Sequence, residues 1–260
     1  MNETITTQLD HRTIREFTDE SVSDAVMDTL FEVAMHTATS TGTQAASVIW
    51  VKDKAKQRRL AEINGQEYVG RAPIYLMFVA DVHRGAQILR EAGVDDGGAR
   101  SMDFATSAFT DACLMVQNVT VAAESLGLGV TILGGMQNDT RGVIEVLGLP
   151  DLTYPVLGMI VGHPNQEPAL KPRIPTQYRV MVDEYTEPDN WHDALAQYDE
   201  DMQTYYDLRK ANKPEPAFTK QVIEKYSNPQ PGRAAIIEVL SEQGFTVQMP
   251  SANQQAPRRD

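Results

Sequence analysis

The spacing of apolar positions changes repeatedly along the chain, and each change predicts an element. Met27, Leu30, Phe31, Ala34 and Ala38 recur at three- and four-residue steps behind Ser23, a natural N-cap, so the spacing predicts a helix over 19–38. Ser47-Val48-Ile49-Trp50-Val51 reads as a short buried strand, and Asp53 to Ala61 as a short charged helix. The apolar run at 73–80 is too short for a helix and rich in strand formers, which makes it a central strand. The longest helical pattern spans 101–127, with Ala105, Ala108, Ala112, Val116, Val119 and Ala123 in register and much of its remaining surface also small or apolar. Gly127 and Gly129 stop it. Val130 to Leu133 is then a strand ending at Gly134-Gly135, Asp139 caps a short helix that Gly148 ends, and Tyr154 to Val161 is a strand closed by Gly162 and Pro164.

Beyond this point the pattern thins. Residues 163–189 read as a loop punctuated by prolines, and 190–210 as a polar helix. Lys213-Pro214-Glu215-Pro216 is a break, helices follow at 218–226 and 232–243, and the tail from Pro250 is polar. Apolar residues after about 165 are too sparse for an independent core, so the chain reads as a single domain over 1–260 with a helical extension over about 165–260. There are no internal repeats.

Composition narrows the function. A formal net charge of −13 disfavours a nucleic-acid or anionic-membrane binder, since both need basic surface. No window approaches the ~18 apolar residues of a membrane span, and the N-terminal stretch lacks a basic region followed by an apolar one. The single cysteine, Cys113, excludes an intrachain disulfide and suits a reduced, cytoplasmic setting. Cys113 lies in an apolar helical stretch, as expected of a small buried hydrophobe.

Against the acidic background three groups stand out. His11-Arg12-Thr13-Ile14-Arg15 places cations around a hydroxyl, which suits a phosphate or equally a basic turn answering Glu16, Asp19 and Glu20. Lys171-Pro172-Arg173-Ile174-Pro175 presents two cations on a backbone stiffened by proline, either for an anion or as a solvated loop. Gly134-Gly135 at a strand end allows a flat ligand close to the backbone, or is ordinary turn chemistry. No G-x-G-x-x-G, P-loop or G-x-S-x-G motif occurs. His11, His36, His83, His163 and His192 are scattered without metal-ligand spacing, so no metal is expected.

Read in order, these segments resemble the nitroreductase family, in particular its branch of NADPH-dependent flavin reductases and oxygen-insensitive nitroreductases. The resemblance rests on the run from His11 to Glu20, on Thr39-Ser40-Thr41 with Gln44, and on Asn64-Gly65-Gln66-Glu67-Tyr68-Val69. It continues through the stretch from Ala122 to Gly129, Leu133-Gly134-Gly135, the run from Lys171 to Pro175, and the run from Ala194 to Asp199 leading into Tyr205-Tyr206. It implies an α+β fold, a mixed, mainly antiparallel sheet wrapped by helices, with a C-terminal segment reaching onto a partner in a homodimer. It further implies tightly bound FMN, NADPH or NADH as co-substrate, and reduction of nitroaromatics, quinones or free flavins by ping-pong hydride transfer.

By the same resemblance Arg12, Arg15 and Arg173, helped by His11 and Thr13, hold the FMN phosphate. Thr39, Ser40, Thr41 and Gln66 bond the ribityl chain or ring edge, and Gln44, Tyr68 and Leu133 line the site. Gly134 and Gly135 bring backbone N–H groups toward the flavin, and Lys171 places positive charge beside it. The chemistry is carried on FMN and not by a catalytic side chain. Arg209, Lys210 and Lys213 are the candidates for reading the 2′-phosphate of NADPH. The apolar 101–127 helix is expected at an obligate dimer interface larger than ~2,000 Å². A flavin-storage or regulatory module of the same fold, or a reductive dehalogenase-like flavoenzyme, is the alternative; the acidic and aromatic lid of such a dehalogenase is not evident at 84–101.

Overall fold

The structure is a computed structural model and describes residues 1–207 and 213–247. Four strands, β1 (Ala46–Trp50), β2 (Ile74–Asp81), β3 (Gly129–Leu133) and β4 (Thr153–Gly162), form one sheet in the order β1-β2-β4-β3. Every pairing between them is antiparallel, and among the described residues a parallel bridge joins Thr13 to Val130 at the edge of this sheet. Around the sheet lie α1 (Glu3–Leu9), α2 (Asp24–Met35), α3 (Lys54–Asn64), α4 (Glu67–Arg71), α5 (His83–Glu91), α6 (Met102–Ser125) and α7 (Thr140–Leu147). The later chain adds α8 (Trp191–Ala194), α9 (Ala196–Thr204), the two-residue strands β5 (Tyr206–Asp207) and β6 (Lys213–Pro214), α10 (Phe218–Ser227), α11 (Pro231–Ala234) and α12 (Ile236–Glu242).

The unbroken apolar run of β2 follows from burial on both faces. Ile74, Leu76, Phe78 and Ala80 join one core cluster with Met27 and Leu30 of α2 and the small-residue face of α6. Tyr75, Met77 and Val79 join the other, with Leu60 of α3, Val69 of α4 and Val143 of α7. The alternation that a strand imposes thus feeds two cores, one on each side of the sheet. In β4 the alternation changes parity: Tyr154 and Val156 face the first core, and so do Met159 and Val161. A bulge accounts for it, since Phe78 pairs with Leu157 and Val79 with Pro155, leaving Val156 as the extra residue.

The helices predicted before residue 150 lie where the apolar period placed them, with Ser23, Asp53, Ser101 and Asp139 each accepting backbone N–H bonds as N-caps, whereas the one expected over 232–243 is interrupted at Ala235. α6 buries Ala105, Ala108, Ala112, Val116, Val119 and Ala123 along one face, while Phe109 and Leu114 are exposed. Three helices lie where no strong pattern predicts one. α1 buries no residue and α5 only Ala86, so neither carries a run of fully buried apolar positions, and α4 is a five-residue turn. The helix expected over 190–210 is broken at Leu195 and ends at Thr204, giving way to the pairing of β5 with β6.

The extension has its own small cluster of Leu195, Tyr198 and Met202. Its last part instead completes the first core. Val239 and Phe245 are buried there, Leu152 N–H donates to the Gln243 carbonyl, and Thr246 bridges to Ser101 in parallel. Among the described residues no helix is long and apolar enough to cross a membrane, and no group of His, Cys, Asp and Glu could hold a metal ion. Burial raises the Cys113 thiol above its ordinary value, in keeping with a packing role.

Candidate functional site

The basic N-terminal segment is laid against the edge of β3. Ile14 N–H donates to the Val130 carbonyl at 2.9 Å, the Thr131 hydroxyl donates to the Ile14 carbonyl, and Ile14 itself is buried. A Cβ on Gly129 would lie 2.7 Å from Ile14, so this close approach depends on glycine. With Ile14 turned inward, the alternation of an extended segment turns Thr13 and Arg15 the other way.

There they meet the second basic segment. His11, Arg12, Thr13, Arg15, Lys171 and Arg173 line one cavity of about 120 Å³, closed on another side by Tyr205. The Lys171–Arg173 stretch is tied down by the Tyr198 hydroxyl, which donates to the Pro172 carbonyl at 3.2 Å, and by Arg173, which donates to the Lys171 carbonyl at 2.8 Å. Lys171 Nζ also lies 5.9 Å from the Tyr205 ring centroid.

Four permanent cations thus converge in a chain of net charge −13. Arg12 is paired with Asp10 at 2.5 Å, yet its Nε is buried without a partner. Arg15 Nε is also buried without a partner, and no hydrogen bond or ion pair is described for the rest of its guanidinium. An unpaired arginine among like charges costs free energy unless an anion completes it. The donor set fits a phosphate, which arginine binds through two parallel N–H bonds.

A second cavity, of about 350 Å³, shares Thr13 and Arg15 with the first. Gln66, Tyr68, Leu133, Gly134 and Gly135 line it, and the Tyr68 hydroxyl donates to Gln66 Oε1 at 2.5 Å. A Cβ on Gly135 would lie 2.4 Å from Asn64 Oδ1, so glycine is required there as well. Eleven of the fifteen residues expected to bind the cofactor therefore line two adjoining spaces.

The other four, Thr39, Ser40, Thr41 and Gln44, are in a separate loop. Thr39 and Gln44 line a third cavity, of about 380 Å³, with Ser47 and Arg84, and it shares no lining residue with the other two. Thr41 and Gln44 both take left-handed backbone conformations, at φ 50° each, an arrangement that costs energy in non-glycine residues. Ser40 N–H holds the loop to buried Asp111 at 2.8 Å. Arg209 and Lys210 lie outside the described residues, and of Lys213 the structure gives its backbone pairing with Asp207.

Sequence reasoning passed over Arg233. It lines the second cavity and donates to the Gly134 carbonyl at 3.0 Å and to Asn138 Oδ1 at 3.1 Å. The neighbouring Gly232 lets α11 approach so closely that a Cβ would lie 2.0 Å from the Asn138 carbonyl oxygen. The dipeptide Gly232-Arg233 after Pro231 was the available signal, but nothing local ties it to residues a hundred positions earlier. The 84–101 region forms α5 and a short turn bound by the Arg90, Asp96, Arg100 and Asp151 ion pairs.

Comparison with known proteins finds that residues 9–163 match the nitroreductase family and residues 171–248 match the C-terminal domain of that family. The chain is 35% identical over 249 residues to FMN reductase (NADPH) of Bacillus subtilis, covering 94% of this chain and 99% of that protein. It is 34% identical over 246 residues to NADPH-flavin oxidoreductase of Vibrio harveyi, covering 94% and 99%. Among solved structures, NfrA2 of B. megaterium superimposes with a TM-score of 0.88 at 34% identity, covering 96% of this chain and 100% of the other.

Proposed function

The chain belongs to the nitroreductase family, and from that premise we propose that it is an NAD(P)H-dependent FMN oxidoreductase reducing free flavins, nitroaromatics or quinones. The observation that carries this reading is the convergence of Arg12, Arg15, Lys171 and Arg173 on one cavity, with Arg15 left unpartnered. Bound FMN would supply the hydride chemistry.

The protein's part is binding and electrostatics. Arg12, Arg15 and Arg173, with His11 and Thr13, hold the phosphate. Gln66, Tyr68 and Leu133 flank the adjoining cavity, where the backbone N–H groups of Gly134 and Gly135 meet the ring. Lys171 adds positive charge where a reduced ring becomes anionic. No dinucleotide fingerprint provides a second, lasting nucleotide site, so the nicotinamide donor and the acceptor take turns in one space. Arg209, Lys210 and Lys213 are the cations proposed to favour the 2′-phosphate of NADPH.

The protein acts in the cytoplasm as a homodimer in which a second copy brings its Thr39, Ser40, Thr41 and Gln44 to the site. Two features support this: these residues sit in a cavity apart from the others, and Phe109 and Leu114 are exposed on α6. Parts of the extension, whose Val182, Tyr185 and Tyr226 are exposed, reach onto the partner. The test is direct. Purified protein should be yellow with about one FMN per protomer, and NADPH added anaerobically should bleach it within the time of turnover. Failure of the apoprotein to bind FMN would refute the reading, and bound flavin that NADPH and NADH both leave oxidised would indicate a storage module.

A further inference from the structure

Glu124, near the C-terminal end of α6, has no role in that account. Its side chain is only 12% exposed, its Oε1 lies 2.5 Å from His11 Nδ1, and its Oε2 is buried without a hydrogen-bond partner. A buried carboxylate this close to a phosphate site is unfavourable on charge alone, because it repels the ligand. Its position calls for a compensating effect, and His11 provides one.

The imidazole has two nitrogens with distinct roles. Glu124 takes Nδ1, so the polar atom left to the ring for the cavity it lines is Nε2. A carboxylate partner places a proton on Nδ1. If the ring is neutral, Nε2 is then an acceptor, which a phosphate cannot use. With both nitrogens protonated, the ring donates at each edge, to the carboxylate on one side and to the phosphate on the other. The other charged groups lining the cavity with His11 are the cations Arg12, Arg15, Lys171 and Arg173. Asp10 is engaged by Arg12. Glu124 is therefore the anion that meets His11.

We propose that Glu124 is a positioning residue for the cofactor phosphate, holding His11 through Nδ1 so that Nε2–H is turned to donate to the phosphate. The inference rests on the FMN-binding reading above. Glu124 acts through His11 and makes no contact with the ligand.

The experiment compares FMN with riboflavin, which lacks the phosphate, in fluorescence titrations of the full-length apoprotein. Glu124→Leu removes the partner of Nδ1 and should weaken FMN by about tenfold or more, the loss expected for one charge-assisted hydrogen bond, while riboflavin affinity stays unchanged. The isosteric Glu124→Gln should show the same selective loss at smaller size, and serves if the leucine variant does not fold. In a His11→Ala background, Glu124→Leu should cost FMN nothing more. FMN bound as tightly as by wild type, or more tightly, would mean that repulsion is the only effect of Glu124 and would overturn the proposal. Equal losses for FMN and riboflavin would overturn it too, by showing a packing role. Wild-type apoprotein that binds no FMN would refute the functional reading itself, a result separable from the other two.

Discussion

Replacing Arg15 by alanine separates binding from folding, because its guanidinium has no described hydrogen bond or ion pair to lose. In the apoprotein the substitution removes a buried Nε without a partner and one of four mutually repelling cations. Apo stability should therefore hold or rise. Binding should suffer. One charge-assisted contact to phosphate is worth roughly 1.5–3 kcal/mol, and a middle value of about 2 kcal/mol weakens FMN about thirtyfold. At FMN about 100 times the wild-type Kd, ligand stabilises the wild type by about 2.7 kcal/mol; the variant, at about three times its own Kd, keeps only about 0.9 kcal/mol. Each kcal/mol moves the melting midpoint of a chain this size by about 2–4 °C. The FMN-induced rise should thus shrink from about 5–11 °C to about 2–4 °C. The assay is thermal unfolding by circular dichroism, with and without FMN, at one fixed protomer concentration. An apo variant melting several degrees below apo wild type, or an undiminished FMN-induced shift, would refute the assignment of Arg15 to the ligand.

Gly232→Ala would set a Cβ 2.0 Å from the Asn138 carbonyl oxygen, so it should destabilise the protein by roughly 1–3 kcal/mol, read as a lowered denaturation midpoint; an unchanged midpoint would show that α11 is not seated on that turn. Hydrogen bonds from Arg100 and Arg90 hold the Asp96 carboxyl below its ordinary range, so its contribution is present above the unfolded carboxylate range and is lost as pH falls below about 4. Because Arg100 also donates to the Gly244 carbonyl and accepts from Thr246 N–H through its own carbonyl, amide exchange at Thr246 should accelerate in acid before exchange in β2 does. Leu114→Asp, at an exposed position of α6, should give monomers by light scattering and weaken FMN; a flavin-loaded monomer would sink the dimer proposal. Arg209→Ala should raise KM for NADPH and leave KM for NADH nearly unchanged, and equal effects on both would remove Arg209 as the 2′-phosphate reader.

Much of the fold could be read from the order of residues because the buried elements carry their own signal. β2 is apolar throughout since both of its faces are covered, and α6 repeats small residues where it lies on the sheet. Where burial is slight the signal fades, as in α1 and α5. The break at Leu195 carries no glycine or proline to announce it, and the extra residue at Val156 becomes visible only against β2. The candidate site divides in the same way. Its two basic segments stand out against an acidic chain, but Glu124 and Arg233 gain meaning only through partners more than ninety positions away. The separation of the Thr39–Gln44 loop from the rest was likewise invisible, since resemblance orders residues along the chain and not across space.

The way residues 235–246 seal the first core bears on how the protein is made. Val239 and Phe245 are among the last residues of the described chain, yet they belong to the same cluster as Met27, Phe78 and Tyr154. A growing polypeptide can pair β1 with β2 and dock α2 early, but one wall of that core is missing until this stretch has left the ribosome. Until then apolar surface on α6 and β4 faces water, and such unfinished intermediates are the ones most prone to aggregate. Slowing synthesis of the final stretch, by rare codons or low temperature, would lengthen that exposure rather than shorten it, and a stop codon placed before residue 235 should yield insoluble protein rather than a smaller active one.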